Sequence, residues 1–282
     1  MRNVTPDNAV EELHRLGWLP AGETARIDWL AWGVSNVVLL VRPEAGDPFV
    51  VKQSREQLRT KADWFSRLDR IWREVDVMRT LHPLLPPGGV PKVLREDRDN
   101  YLLSMEAVDP AHVVWKGELL EGKADGVVSV LAARMLAAIH RETYGRSDLR
   151  SSFGDREVFD QLRLDPFYRR VAEVHSDLKA MLDALIDETL SRGDCLVQAD
   201  FSPKNLLIVR ASGQPPRLSL VDYETGQYGH PAFDLGVFLS HLLLKTVLHA
   251  ERREEYLDLV RNFWAEYRRE TATLGSTDAF SP

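Results

Sequence analysis

LVQADFSPKNLLIV, residues 196–209, sets Asp200, Lys204 and Asn205 in a short polar break between two apolar runs. Residues 206–210 (LLIVR) and 217–222 (RLSLVD) read as short strands joined by the loop ASGQPP, a hairpin. Folding that hairpin returns Asp222, at its far end, to the neighbourhood of Asp200 and Asn205. Asp222-Tyr223-Glu224 adds a second carboxylate two residues on, and an extended backbone aims both to one side. An oxygen-only set of this kind suits Mg²⁺, a hard cation that keeps several waters and takes one or two carboxylates plus substrate phosphates. A carboxylate beside a metal-bound nucleotide, free to accept a proton from an attacking hydroxyl, is what phosphoryl transfer needs from a protein.

Upstream, residues 7–17 carry a helical pattern, and 25–33, 36–44 and 47–53 read as three strands punctuated by Gly33 and Gly46-Asp47-Pro48, an antiparallel meander. From Ala62 to His82 the residues Phe65, Leu68, Ile71, Trp72, Val75, Met78 and Leu81 recur three and four apart, which predicts one long helix ended by PLLPPGG, 83–89. Strands at 90–97 and 101–107 follow, separated by the turn Arg98-Asp99-Asn100. From Gly126 the pattern is helical, with helices expected at 126–143, 167–192, 232–249 and 251–273, and 196–223 alone is strand-like. The expectation is an α+β, bilobal chain. A small antiparallel β-rich lobe occupies 1–108, a larger, mainly helical lobe 109–282, and 274–282 is a frayed tail.

A chain of 282 residues has room for one large domain or two lobes sharing a cleft, and 44% apolar with 28% charged residues is ordinary for a globular enzyme. A formal charge of −7 argues against coating nucleic acid or an anionic membrane, since both need a basic field. Cys195 is the only cysteine, which excludes an intramolecular disulfide and a cysteine-based zinc site, and it reads as a half-buried strand residue. The amino terminus, MRNVTPDNAV, has no apolar h-region, and the longest apolar stretch, 127–139, is interrupted by Ser129 and Arg134. The expectation is a soluble, cytoplasmic monomer or homodimer with no nucleic-acid or membrane partner.

D-x-x-x-x-N, then a hairpin, then an Asp resembles the catalytic loop and metal aspartate of the protein-kinase-like fold. QADFSPKN with DYE and GHPAFDLG more particularly resembles the aminoglycoside phosphotransferase, choline kinase and methylthioribose kinase superfamily, whose loop typically reads H-G-D-x-x-x-x-N and whose metal motif is often D-x-E or D-x-D. The resemblance spans roughly residues 25–240. It implies transfer of the γ-phosphate of ATP, or another NTP, with Mg²⁺, to a hydroxyl of an aminoglycoside-, choline-, thioribose- or sugar-like small molecule. It implies Asp200 as the base, and Asn205, Asp222 and Glu224 as metal ligands. Lys52, ending Val50-Val51-Lys52, would contact the α and β phosphates and pair with Glu74 of the next helix. Ser35 and Asn36, in the turn Gly33-Val34-Ser35-Asn36, would add phosphate contacts. YLLSMEAVDP would be the last strand and hinge, with Met105 as gatekeeper and the backbone of Glu106 and Val108 meeting the adenine edge.

Each residue also has a plainer reading. Asp200 could bond its own backbone as an Asx-turn, Lys52 could be a solvated edge lysine, and Glu74 could pair on the surface with Arg70, four residues earlier. Glu224 could stand behind the ligands, Lys204 could be solvated or could neutralise a phosphoryl group, and Asp234 could cap a helix or brace the loop. Trp115, Phe201, Tyr223 and Tyr228 could line a substrate pocket or be core, and His140 reads as a satisfied buried histidine. Gln198-Ala199 stands where His-Gly is usual, which keeps open a catalytically impaired nucleotide-binding module. The amide can still hydrogen-bond, and Asp200, Asn205 and Asp222 are all present. A protein kinase is disfavoured, because only eleven residues separate Asp222 from Asp234 and no A-P-E follows. The acceptor pocket is expected from 111–124 and 150–175.

Overall fold

The computed structural model describes residues 1–30, 35–58 and 64–274. Gly33 and Val34 of the first turn, Ala62 at the expected helix start and the tail beyond 274 lie outside the described residues. The amino-terminal part runs α1 (Ala9–Arg15), β1 (Ala25–Trp29), β2 (Asn36–Pro43), β3 (Phe49–Ser54), α2 (Arg70–Leu81), β4 (Val93–Asp97) and β5 (Leu102–Glu106). Its five strands form one antiparallel sheet in the order β1-β2-β3-β5-β4. Alternation decides what each face carries. Leu39, Val41 and Val51 join Leu13 and Trp18 in a cluster beneath α1, whereas Val50 and Lys52 turn to the opposite face, where α2 lies.

The helix predicted from Ala62 begins only at Arg70. Phe65 and Leu68, counted into its apolar stripe, precede it, and Phe65 is exposed. The polar groups of 64–67 are claimed elsewhere: Trp64 Nε1 donates to Gln161 O at 2.9 Å, Ser66 Oγ to Gln161 Oε1 at 2.9 Å and Arg67 N to the same Oε1 at 3.3 Å. Tertiary hydrogen bonds thus override a local helical pattern.

The carboxy-terminal part runs β6 (Val113–Val114), α3 (Trp115–Leu120), α4 (Gly126–Thr143), α5 (Ser147–Phe153), α6 (Glu157–Phe159), a π-helical stretch Asp160–Arg169, α7 (Arg170–Val174), α8 (Lys179–Ser191), β7 (Cys195–Val197), β8 (Leu206–Val209), β9 (Arg217–Leu220), β10 (Gln227–Gly229), α9 (Ala232–Leu248) and α10 (Arg253–Thr271). The helix predicted over 167–192 is broken at His175, whose φ of −118° and ψ of 80° are not helical. Pro166, with no N–H to give, sits inside the π-helical stretch. β8 and β9 pair with Leu206 opposite Leu220 and Val209 opposite Arg217, the expected hairpin. No single helix among the described residues is long and apolar enough to cross a membrane.

Phe238 of α9 centres the core of this lobe, with ring centroids 4.2 Å from Phe263, 5.4 Å from Phe201 and 5.6 Å from Trp115. Trp115, Phe201, Tyr223 and Tyr228 are all buried in the same cluster, so they are core and not pocket lining. Cys195 is fully buried, more than the half-burial expected of it. The cluster continues into the other lobe through Ile71, Val75 and Met78 of α2 and Leu103 and Met105 of β5.

Candidate active site

The loop between β7 and β8 is held at both ends. Asn205 N donates to Ser202 O at 2.9 Å and Val221 N to Asn205 O at 3.0 Å, which sets the start of the hairpin against its end. Asn205 Nδ2 donates to Asp200 O at 3.0 Å and Oδ2 at 2.9 Å. Lys204 Nζ lies 2.8 Å and Arg163 Nη2 3.0 Å from that same Oδ2. The carboxylate is thus anchored through one oxygen. Its Oδ1 takes no hydrogen bond among the described residues.

Gln198 and Asp234 brace the loop from behind. Gln198 Oε1 accepts from Asp200 N at 2.7 Å, and its Nε2 donates to Asp222 O at 2.5 Å. Asp234, at the start of α9, accepts from Gln198 N at 2.9 Å and Ala199 N at 2.7 Å. His140 in turn meets Asp234 Oδ2 through Nε2 at 3.1 Å and Tyr267 OH through Nδ1 at 2.8 Å. Ala199 and Asp222 have φ of 61° and 70°, left-handed values that cost a residue with a Cβ about 1–2 kcal/mol. Strain held by this many hydrogen bonds is common where side chains must be aimed.

Lys52 reaches from β3 into the cleft, with Nζ 2.9 and 2.7 Å from Glu74 Oε1 and Oε2 and 2.7 Å from Asp222 Oδ1. Burial opposes the lysine's charge, but Asp222, Glu74 and Glu224 raise its pKa above the ordinary value. Burial works on Asp222 too, yet Lys52 and Lys204 hold it at about 2. Glu74 fares otherwise: burial pushes it up to about 7 against the pull of Lys52, with Asp222 and Glu224 adding repulsion. Asp222 has Lys204 and Glu224 has Arg70 as a second cation, whereas Glu74, at 1% exposure, shares Lys52 with both and is the worst matched.

Glu74 does not pair with Arg70. The fully buried Arg70 donates from Nε to Glu224 Oε2 at 2.9 Å and from Nη2 to Ser35 O and Arg55 O at 2.6 and 2.7 Å. Ser35 Oγ and Asn36 Nδ2 donate to Glu224 Oε1 and Oε2 at 2.6 and 2.8 Å. Burial and Asp222 would lift Glu224, but Lys52, Arg70 and Ser35 hold it below the usual carboxylate range. In this arrangement both oxygens of Glu224 are engaged, and through Ser35, Asn36 and Arg70 they anchor the entry to β2. The side chains of Ser35 and Asn36 are turned to Glu224, not to open space.

At the other end of the cleft, Glu106 N donates to Lys92 O at 2.9 Å. Its main chain therefore has only the carbonyl to offer a base edge. Val108 lies two residues on, half-buried. Arg163 and Arg70 are the residues that sequence reasoning missed. Arg163 comes from the π-helical stretch and also donates from Nε to Ala199 O at 2.6 Å. No sequence pattern marks it, whereas Arg70 was visible only as a neighbour of Glu74.

Asn205 Oδ1 and Asp222 Oδ2 accept no hydrogen bond among the described residues, and the Asp222 side chain is 27% exposed. Among the described residues no three His, Cys, Asp or Glu side chains gather as a metal cluster. The donor set fits a hard cation that keeps water and borrows phosphate oxygens, and it does not fit zinc or another metal that the protein alone must enclose.

A model of the phosphotransferase enzyme family matches residues 28–272. Methylthioribose kinase of Pectobacterium atrosepticum is 24% identical over 318 aligned positions, covering 100% of this chain and 78% of that protein. That of a Geobacillus species is 26% identical over 281 positions, covering 90% and 68%. Among solved structures, the GDP complex of aminoglycoside 2'-phosphotransferase-IIIa shares the fold at a TM-score of 0.60 and 15% identity, over 99% of this chain and 95% of that one. An amicoumacin kinase in complex with AMP-PNP does so at 0.57 and 19%, over 97% and 82%. With its bilobal, protein-kinase-like fold and a family match over most of its length, the chain belongs to the phosphotransferase enzyme family and is a small-molecule kinase.

Proposed function

We propose that the chain transfers the γ-phosphate of ATP, with Mg²⁺, to a hydroxyl of a small acceptor. The observation that supports this most is the meeting of Asp200, Asn205, Asp222 and Lys52 in one cleft, with Asp200 Oδ1 unbonded among the described residues. Asp200 orients the acceptor hydroxyl and takes its proton at Oδ1. Asn205 and Asp222 would hold the metal through their side-chain oxygens, and Glu224, whose oxygens already accept from Ser35, Asn36 and Arg70, would join through a remaining lone pair or stand behind them. Bound Mg²⁺ would neutralise charge on the phosphates. Lys52, steadied by Glu74, contacts the α and β phosphates, while Lys204 offsets charge on the group in flight. Glu106 O and Val108 N face the adenine edge. Because the transition state is loose, positioning and charge neutralisation supply most of the catalysis.

The resemblance admits aminoglycoside-, choline-, thioribose- and sugar-like acceptors, and relatives named methylthioribose kinase favour a thioribose- or sugar-like one. The impaired-module alternative rested on Gln198-Ala199. Gln198 ties Asp200 to Asp222, which supports the enzyme reading over it. The test uses γ-labelled ATP, Mg²⁺ and a pool of small alcohols and sugars. Label should pass to a hydroxyl with the wild-type chain and not with Asp200→Asn. Transfer that persists at equal rate in Asp200→Asn would overturn the assignment.

A further inference from the structure

We propose that Lys116, His241 and Lys245 form an anion subsite on the acceptor side of the cleft, so that the compound phosphorylated beside Asp200 carries a carboxylate or a phosphate of its own. This rests on the kinase reading of Asp200 given above. Three elements converge there. Lys116, in the first turn of α3, donates its main-chain N–H to Pro203 O at 2.9 Å, one residue before Lys204. Trp115 and Phe201, the neighbours of Lys116 and Asp200, both pack on Phe238 of α9. Farther along, His249 Nε2 meets Leu119 O at 3.0 Å. α9 therefore runs along α3 and past the catalytic loop, and His241 and Lys245, one turn apart, lie between those two contacts.

The three side chains are half-buried, and none makes a hydrogen bond or ion pair among the described residues. Elsewhere on this chain such cations are matched: Arg210 with Glu118, Arg169 with Asp160, Lys52 with two carboxylates. Here the carboxylate within range is Asp200, already held by Lys204 and Arg163. Burial, then the nearness of Lys116, depresses Lys245. Burial depresses His241 as well, and Lys204, Lys245 and Lys116 oppose the pull of Asp200 on it. A polycationic acceptor entering this corner would meet repulsion. An anion supplies the missing countercharge, and electrostatic complementarity of that kind selects partners more than it adds raw affinity.

The experiment uses the full chain with its nucleotide site filled by AMP-PNP, so that Lys52 is covered. Lysine-directed aldehydes are added, each condensing with an amine to an imine and water and then trapped by borohydride. They are pyridoxal phosphate and para-formylbenzoate, with the uncharged counterparts pyridoxal and methyl para-formylbenzoate. Labelling is read by peptide mass spectrometry, with the exposed Lys179 as internal reference. Lys116 or Lys245 should label at least about tenfold faster with an anionic aldehyde than with its uncharged partner, relative to Lys179. The excess at Lys245 should collapse in Lys116→Gln. Whichever aldehyde is preferred tells carboxylate from phosphate. Equal rates for charged and uncharged reagents at both lysines overturn the subsite. Phosphate transfer in the γ-label assay is read separately. An anion preference in a chain that transfers nothing would sink the kinase reading alone, and transfer without the preference would sink the subsite alone.

Discussion

Gln198 is bonded to Asp222 through the chain's own carbonyl, Nε2 to O at 2.5 Å, while its Oε1 holds the N–H of Asp200 at 2.7 Å. One amide therefore fixes the spacing between Asp200 and Asp222. A side chain that both donates and accepts is needed for this, and an imidazole has the same two functions.

Replacing Gln198 with Ala should leave the Asp200 N–H and the Asp222 carbonyl buried without partners, at about 1–3 kcal/mol each. We expect kcat to fall on the order of tenfold to a hundredfold and the melting temperature to drop. Gln198→His should recover most of the loss. If Gln198→Ala keeps wild-type kcat and stability, the spacing role is wrong.

Asp200→Asn keeps the size of the side chain and its contacts with Asn205, but removes the proton acceptor. General-base catalysis contributes roughly a hundredfold to ten-thousandfold, so kcat should fall within that range. Nucleotide affinity, measured by calorimetry, should change by less than about threefold. A matching loss of nucleotide affinity would show that Asp200 holds the phosphates instead.

Arg70→Met should be among the most damaging substitutions in the amino-terminal lobe. It leaves Glu224 buried without its guanidinium, and breaking one side of a buried pair costs about 3–5 kcal/mol. Adding Glu224→Gln to Arg70→Met should restore part of that stability in urea titrations. No coupling between the two substitutions would count against the pair.

The thiol of Cys195 is fully enclosed in β7, where burial, with Asp234 and Asp194 nearby, raises its pKa well above the usual value. A buried, protonated thiol is inert. A chromogenic aromatic disulfide should therefore react with none of the native protein's thiol and with one thiol per chain in denaturant. Prompt reaction in buffer would mean that this strand opens locally.

The chemistry along one stretch of chain was the legible part. Asp200, Asn205 and Asp222 are brought together by a hairpin whose apolar runs and turn residues are local signals. Lys52 could be aimed because alternation along β3 is obeyed. Glu224 could not be assigned from its neighbours: its partner Arg70 lies 154 positions away and, on a helix, looks like a companion for Glu74. Arg163 was hidden because the π-helical stretch around Pro166 breaks the periodicity that locates side chains. The start of α2 was misplaced for a related reason, since Gln161, far along the chain, claims the groups a longer helix would have used.

Those same bonds to Gln161 tie residues 64–67 of the amino-terminal lobe to the π-helical stretch of the other, and Arg67 adds Glu157 of α6 at 2.6 Å. A relative movement of the two lobes would have to break these bonds along with the ion pairs Lys52–Asp222 and Arg70–Glu224 that join the same two parts of the chain.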